Sequence, residues 1–586
     1  MNENETVKEE RTDAPAEKAA ATQREIPLLR RLLPHIPLIL CACALLFALA
    51  LAIYFIVGPA EGYLHSDCTD TLLWAQASLD AGAVFNPDFT YAALLPFGAS
   101  LWLVPLLAIF GYTMTTHVIG MVIFAVLFTL AAVLLLRRMK WSYAWCFGTA
   151  AILLMILSSS DKLREIMWNH VIYYSLGLLL YFLLLSLTFV SYEGLEDKAR
   201  SLPRRLLPLA ILIVFSALNA TNGFQMIVLT ILPVLVAIVL ERLLDRETPF
   251  FSKKNLPPLA VVSALGFGAV AGTLLLKVLL GSISSNYANA YSSYSAPADW
   301  PANLDKLFMN WLTLLGMDAK NRDPLVDGDS IVNILRIGVG ILLLVVPLIL
   351  LAFYRRIKDR RLRILALGHA FILAFLVFGC VCGRLGAANW RLTPLLGSSV
   401  IVTVAAIREV YTARKDAILS FRLGVCVLLV LSLLSLQNAR IISAMPADYG
   451  RDNTLHRLTE MLEREGLTYG YATFWQSQAI TLLSDSKVKV REILVEDREI
   501  VTDQYQSQGA WYEDQEGVDE YFILLSEAEY MRIDGTDYWI EITNHCLDRY
   551  FLENGYHVFV FAENIWNSHV GPRIVDHLPN DDGYIS

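Results

Sequence analysis

Eleven times along its length the sequence enters an apolar stretch that meets or approaches the roughly 20 residues a helix needs to cross a bilayer. The stretches lie near 33–57, 113–136, 143–158, 170–191, 206–219, 222–241, 257–280, 331–354, 363–382, 391–408 and 421–438, with 143–158 and 206–219 the short ones. Composition agrees: of 586 residues, 55% are hydrophobic and 18% charged, against about 25% charged in an ordinary soluble chain. Eight cysteines are too few for a disulfide scaffold. A net charge of −9 without a long basic tract excludes a nucleic-acid binder. The fold class expected is an α-helical polytopic membrane protein of about 11 spans.

The stretch 93–110 is apolar but carries Pro96 and Pro105 and runs through Gly111 into the next span. Loop charge decides its place, because Lys and Arg collect in cytoplasmic loops. With eleven spans and a cytoplasmic N-terminus, the inner segments and their flanks hold about 27 Lys and Arg. The outer loops hold about seven, and 58–112 holds none. The reading therefore puts 93–110 at the outer face as an interfacial or re-entrant helix. Everything after 438 lies outside the cell.

Three parts follow: a polar, disordered cytoplasmic tail (1–32), a transmembrane domain (33–438) and an extracytoplasmic domain (439–586). Two outer loops, 58–112 and 281–330, are long enough to be functional rather than connecting. The tail domain holds about 27 Asp and Glu against 11 Lys and Arg. Its apolar runs shorten to strand length. Helical spacing over 454–465 and 476–483, with strands at 469–473, 488–494, 521–525 and 557–561, predicts an α/β domain. No nucleophile elbow, phosphate loop or metal spacing occurs in it, so it is expected to bind or shape the site.

Polar chemistry gathers outside the membrane. Directly after the first span comes Glu61-Gly-Tyr-Leu-His-Ser-Asp67-Cys-Thr-Asp70. A carboxylate beside apolar surface has its pKa raised and can act as a base; equally, Asp67 and Asp70 can cap a helix over 71–81. A second cluster is Asp161-Lys162-Leu-Arg164-Glu165, followed by Trp168, Asn169 and His170. A third is Arg384 and Arg391 around Asn389-Trp390 at an outer turn. Arginine forks bind phosphate oxygens, although snorkelling or salt bridges to Asp161 or Glu165 would also explain such cations. The segment 286–300, with Tyr287, Tyr291, Tyr294 and Trp300, suits carbohydrate or an interfacial belt. Cys68 faces outside and could pair with another outer cysteine. The histidines show no metal-ligand spacing. No charge sits mid-span, which weighs against an ion-coupled transporter.

Several of these stretches together resemble the GT-C class of integral-membrane glycosyltransferases, which includes the protein mannosyltransferases and the bacterial aminoarabinose transferases. They are Asp67-Cys-Thr-Asp70-Thr-Leu-Leu-Trp, Leu95-Pro96-Phe97-Gly98 through Phe110-Gly111, Asn389-Trp390-Arg391-Leu-Thr-Pro394, and Tyr469-Gly-Tyr-Ala-Thr-Phe-Trp475. The sequence departs in having Asp-x-x-Asp for the usual adjacent acidic pair and Trp390 where Tyr is common. The resemblance implies a sugar donor on polyprenyl phosphate and an acceptor hydroxyl on a glycan, lipid or protein. It implies Asp67 or Asp70 as the base, with Arg391, Arg384 and Arg164 holding the phosphate. Lys162, His170, Trp390 and Tyr291 join them as substrate-binding candidates. No metal or cofactor is expected, and the location implied is a bacterial plasma membrane. A lipid-linked glycan flippase and a non-catalytic glycan-binding scaffold are the alternatives. The first predicts polar residues lining both sides of the membrane, the second indifference to change at Asp67 and Asp70.

Overall fold

The computed structural model describes residues 35–567, apart from 200, 246–248, 250–251, 282, 284–292, 321–323, 325, 413–417, 504 and 553–554. Tyr287, Tyr291 and the N-terminal tail lie outside the described residues.

The expected spans are present. Helix α1 is Ile36–Val57; the first long loop then carries α2, Ser66–Ala81, and α3, Val104–Phe110. Next come α4 (Met114–Arg138), α5 (Tyr143–Ile156), α6 (Asp161–Trp168) and α7 (Tyr173–Glu196). Helices α8 (Leu202–Ala220), α9 (Phe224–Leu244) and α10 (Leu256–Leu280) follow. The second long loop carries α11, Trp300–Leu314. Helices α12 (Gly328–Ala352), α13 (Arg360–Val381), α14 (Thr393–Thr412) and α15 (Ile418–Ala444) complete the bundle. Ten helices among the described residues are long and apolar enough to cross a membrane; the short α5, with α6 bent from it by 117°, makes the eleventh. The bend turns α6 out of the spanning direction and lays its charges at the end of the bundle.

The stretch 93–110 does not span. Pro96–Ser100 is a single wide turn, broken by Gly98 at φ 85°, and only Val104–Phe110 is regular helix. A proline lacks the N–H for a continuous helical ladder, and a positive φ suits glycine. Where spans touch closely, small residues allow it. Gly268 and Gly272 of α10 lie so near α8 that a Cβ on Gly272 would sit 2.0 Å from the Ala217 carbonyl oxygen.

At the opposite end from α6, charges pair between helices. Arg361 binds Glu193, Arg360 bridges Glu196 and the buried Glu241, and Arg242 binds Glu241 and Asp245. All lie at helix ends, as expected of segments leaving hydrocarbon.

The C-terminal domain is one six-stranded mixed sheet. Its strands are β1 (Tyr469–Thr473), β2 (Lys489–Glu496), β3 (Glu499–Thr502), β4 (Tyr521–Ser526), β5 (Cys546–Leu552) and β6 (Tyr556–Phe561), in spatial order β3-β2-β1-β4-β6-β5. Strand β1 runs parallel to β2 and β4, and the outer pairs are antiparallel. Ala472, Val490, Phe522, Leu524, Val558 and Val560 face α16 (Thr454–Arg464) and α17 (Phe474–Leu483). Tyr469, Tyr471, Ile523 and Phe559 face a second core with Trp539 and Trp566. Strands β3 and β5, and the short helices α18 (Glu527–Ile533) and α19 (Asp537–Thr543), were not expected from the sequence.

The domain is fastened to the first loop at several points. Gln506 accepts from Trp74 at 3.1 Å, and Asn453 donates to the Gly62 carbonyl at 2.6 Å. Asp485 accepts from the Met114 amide, and Ser486 donates to the Tyr112 carbonyl. First and last spans meet as well: the Tyr54 hydroxyl donates to the Met445 carbonyl, and Tyr63 stacks on Tyr449.

Candidate active site

Helix α2 begins at Ser66, after His65 in extended backbone, and ends where Gly82 turns left-handed at φ 59°. This corrects the capping expectation for Asp67 and Asp70. The helix starts a turn earlier than 71, so neither aspartate is its cap, and no side chain caps it. Both acids are instead side chains of the helix itself, three residues apart, and they differ in exposure.

Asp70 is turned under the C-terminal domain. Its side chain is 6% exposed, accepts a 2.9 Å hydrogen bond from Gln506, and lies 3.8 Å from His170 Nε2. Burial pushes its pKa up to about 7 despite that hydrogen bond. His170 is buried too, and burial pulls it down to about 4, so it stands neutral near pH 7. Asp67 keeps 35% of its side chain exposed and lies 3.9 Å from His65 Nδ1. Its pKa is raised, first by burial of its surroundings and then by Asp70, against His65 and His170.

From Asp67 a line of contacts leads to the outer turn. His65 Nε2 is 3.1 Å from Glu165, whose carboxylate accepts from Lys162 Nζ at 2.7 Å. Lys162 Nζ in turn sits 4.7 Å from the centre of the Trp390 ring. Burial would lift Glu165, but the hydrogen bond and charge of His65, together with Lys162, hold it at about 2. Burial likewise opposes charge on His65, yet Cys68 and Glu165 outweigh it and keep its pKa well above the ordinary value. Glu165 is thus an anion bracketed by two cations.

Arg391 follows Trp390 in the turn Asn389–Leu392. It is 5% exposed and donates to the Arg384 carbonyl at 3.3 Å. Arg164 has a different place: its side chain is 4% exposed, it pairs with Asp161, and it donates to the Ser158 carbonyl at 2.9 Å. It braces the α5–α6 bend. The salt bridges weighed for this cluster are therefore both made, Arg164 with Asp161 and Lys162 with Glu165. The structure brings together Asp67, Asp70, His170, Lys162 and Trp390.

From the sequence Glu165 was read only as a salt-bridge partner and His65 only as a histidine without metal spacing; neither was expected to link the two ends of this line. Gln506, a polar residue in an irregular stretch with no motif to mark it, was not singled out. All eight cysteines are free. Among the described residues no group of three or more His, Cys, Asp or Glu is placed to hold a metal ion.

No family model and no curated protein sequence matches the chain. Solved structures do. The chain is similar to ArnT from Cupriavidus metallidurans bound to undecaprenyl phosphate, with 12% identity, a TM-score of 0.51, and 90% of this chain and 99% of that one covered. The apo state of the same protein gives 12%, 0.51, 88% and 97%. An Archaeoglobus fulgidus oligosaccharyltransferase tethered with an acceptor peptide matches at 11% identity and a TM-score of 0.39, over 77% of this chain and 63% of that one. The chain thus has the GT-C-type fold of ArnT, spans and C-terminal domain together.

Proposed function

We propose that, on this GT-C-type fold, the protein is a glycosyltransferase moving a sugar from a polyprenyl-phosphate donor to an acceptor hydroxyl. The reaction belongs to the outer face of a bacterial plasma membrane, with the N-terminus cytoplasmic and the C-terminal domain outside. One observation carries the reading. A partly exposed aspartate of raised basicity is joined, through His65, Glu165 and Lys162, to the arginine-bearing turn at the same end of the bundle.

The chemistry follows from these groups. Asp67 takes the proton of the acceptor hydroxyl as its oxygen attacks the anomeric carbon, and a raised pKa makes the carboxylate a better acceptor of that proton. The bond from that carbon to the phosphate oxygen breaks on the opposite side, so the configuration inverts. Polyprenyl phosphate leaves as an anion, and Lys162, Arg391 and Arg384 supply fixed positive charge for it. Asp70, turned away under the domain, positions α2 instead of taking the proton. Glu165 is already matched by His65 and Lys162, and no metal is assigned a role.

The test uses purified protein in nanodiscs with a panel of polyprenyl-phosphate sugars and crude cell-envelope acceptor. Polyprenyl phosphate release by the parent chain, and its fall by at least about 100-fold in Asp67→Asn with melting unchanged, is the expected result. Donor that binds but never turns over, with Asp67→Asn behaving like the parent, would return the reading to a transporter or scaffold.

A further inference from the structure

On the face of α2 beyond Asp70, away from Asp67, the first loop and the C-terminal domain line a cavity of about 490 Å³. Its size falls within the range of small-molecule sites. Gln76, Gln478 and Gln508 contribute amides, Phe89 and Trp511 aromatic rings, and Asp80, Lys489 and Arg491 charge of both signs. Arg491 lies 4.4 Å above the Trp511 ring. None of these residues belongs to the line from Asp67 to Trp390.

Gln478 makes this cavity more than a seam between domains. Its side chain is wholly buried, lines the cavity, and has no hydrogen-bond partner on either Oε1 or Nε2. A buried amide without partners costs on the order of 1–3 kcal/mol, more than a leucine of similar shape would in the same place. A leucine would serve packing better, so the amide is suited to a polar guest. The guest's chemistry follows from the lining. Planar amides, each a donor and an acceptor, match pairs of neighbouring hydroxyls. The polar lining does not suit a lipid chain.

We propose that this cavity binds a neutral sugar unit of the acceptor, which makes the acceptor a glycan or glycolipid. The proposal rests on the transferase reading and gives its acceptor a class.

Calorimetric titration of the full chain in nanodiscs with mannotriose, chitotriose and galactotriose tests it. At least one trisaccharide is expected to bind saturably. Gln478→Leu should weaken that binding about tenfold, the weight of one lost amide, while melting no lower than the parent. The half-buried Gln508→Ala gives a second reading of the same site. Binding should survive saturation with a polyprenyl-phosphate sugar. Failure of all three sugars to bind, unchanged affinity in both variants, or displacement by the donor overturns the proposal. The two readings fail separately. Sugar binding without polyprenyl phosphate release would sink the transferase and leave a glycan site; release without sugar binding would do the reverse.

Discussion

Replacing Asp70 by asparagine should make the protein more stable, and only on the alkaline side. Asp70 is almost wholly buried, and its pKa stands at about 7 against an ordinary 3.8. Between those values the folded chain holds a proton that the unfolded chain has released, so stability falls as pH rises through the window. Above it the full cost is present, ~4 kcal/mol at about 1.4 kcal/mol per pH unit. Asparagine carries no charge to bury. Its Oδ1 can still accept from Gln506, and its Nδ2 would face the neutral His170. The assay is thermal melting of parent and Asp70→Asn in nanodiscs, well above and well below that window. A higher melting temperature for the variant on the alkaline side, vanishing on the acid side, is expected. Polyprenyl phosphate release should persist in it. Equal melting at both pH values, or release lost in Asp70→Asn and retained in Asp67→Asn, would refute the assignment of the two acids.

Glu165→Gln should destabilise the protein by ~3 kcal/mol near neutral pH, because the folded carboxylate stands at about 2 against 4.5. Here the folded pKa is depressed, so the stabilisation is present above 4.5 and is lost as pH falls toward 2; melting curves of parent and variant should converge with acidification. Gly272→Leu should cost at least about 1–3 kcal/mol, since even a Cβ would meet the Ala217 carbonyl. Gly266→Ala, on the same helix with open space at its Cβ, should melt like the parent. Polyprenyl phosphate release should continue in excess chelator; loss of turnover that added divalent ion restores would show a metal to be part of the site.

The spans were legible because hydrocarbon leaves little freedom: every backbone group must be bonded within the segment, so long apolar runs become helices. Even the break at 93–110 was written in Pro96, Pro105 and the bare loop charges. In the soluble domain, β1 was found because all five residues are buried. Strand β5 was missed because it is an edge strand, largely exposed, without apolar alternation. Strand β3 has only four residues. Asp67, Asp70, Lys162 and Trp390 announced themselves as charges and aromatics just outside spans. Their connection did not, because His65 and Glu165 meet only through the α5–α6 bend. Arg164 shows the reverse difficulty: a cation outside the membrane looks free for phosphate until its brace to Asp161 and Ser158 is seen.

The hydrogen bonds of Gln506 to Trp74 and Asp70 join residues 432 and 436 positions apart. A ribosome adding about 5–20 residues per second separates these partners by tens of seconds. Throughout that interval the first loop sits at the membrane surface with its acids and its tryptophan waiting for chain that has not been made. The earliest part of the site to be synthesised is therefore the last to be finished. A nascent chain stopped short of residue 506 would have every span in place and no completed cleft, so its exposed first loop is where a quality-control protease could tell a partial product from a whole one.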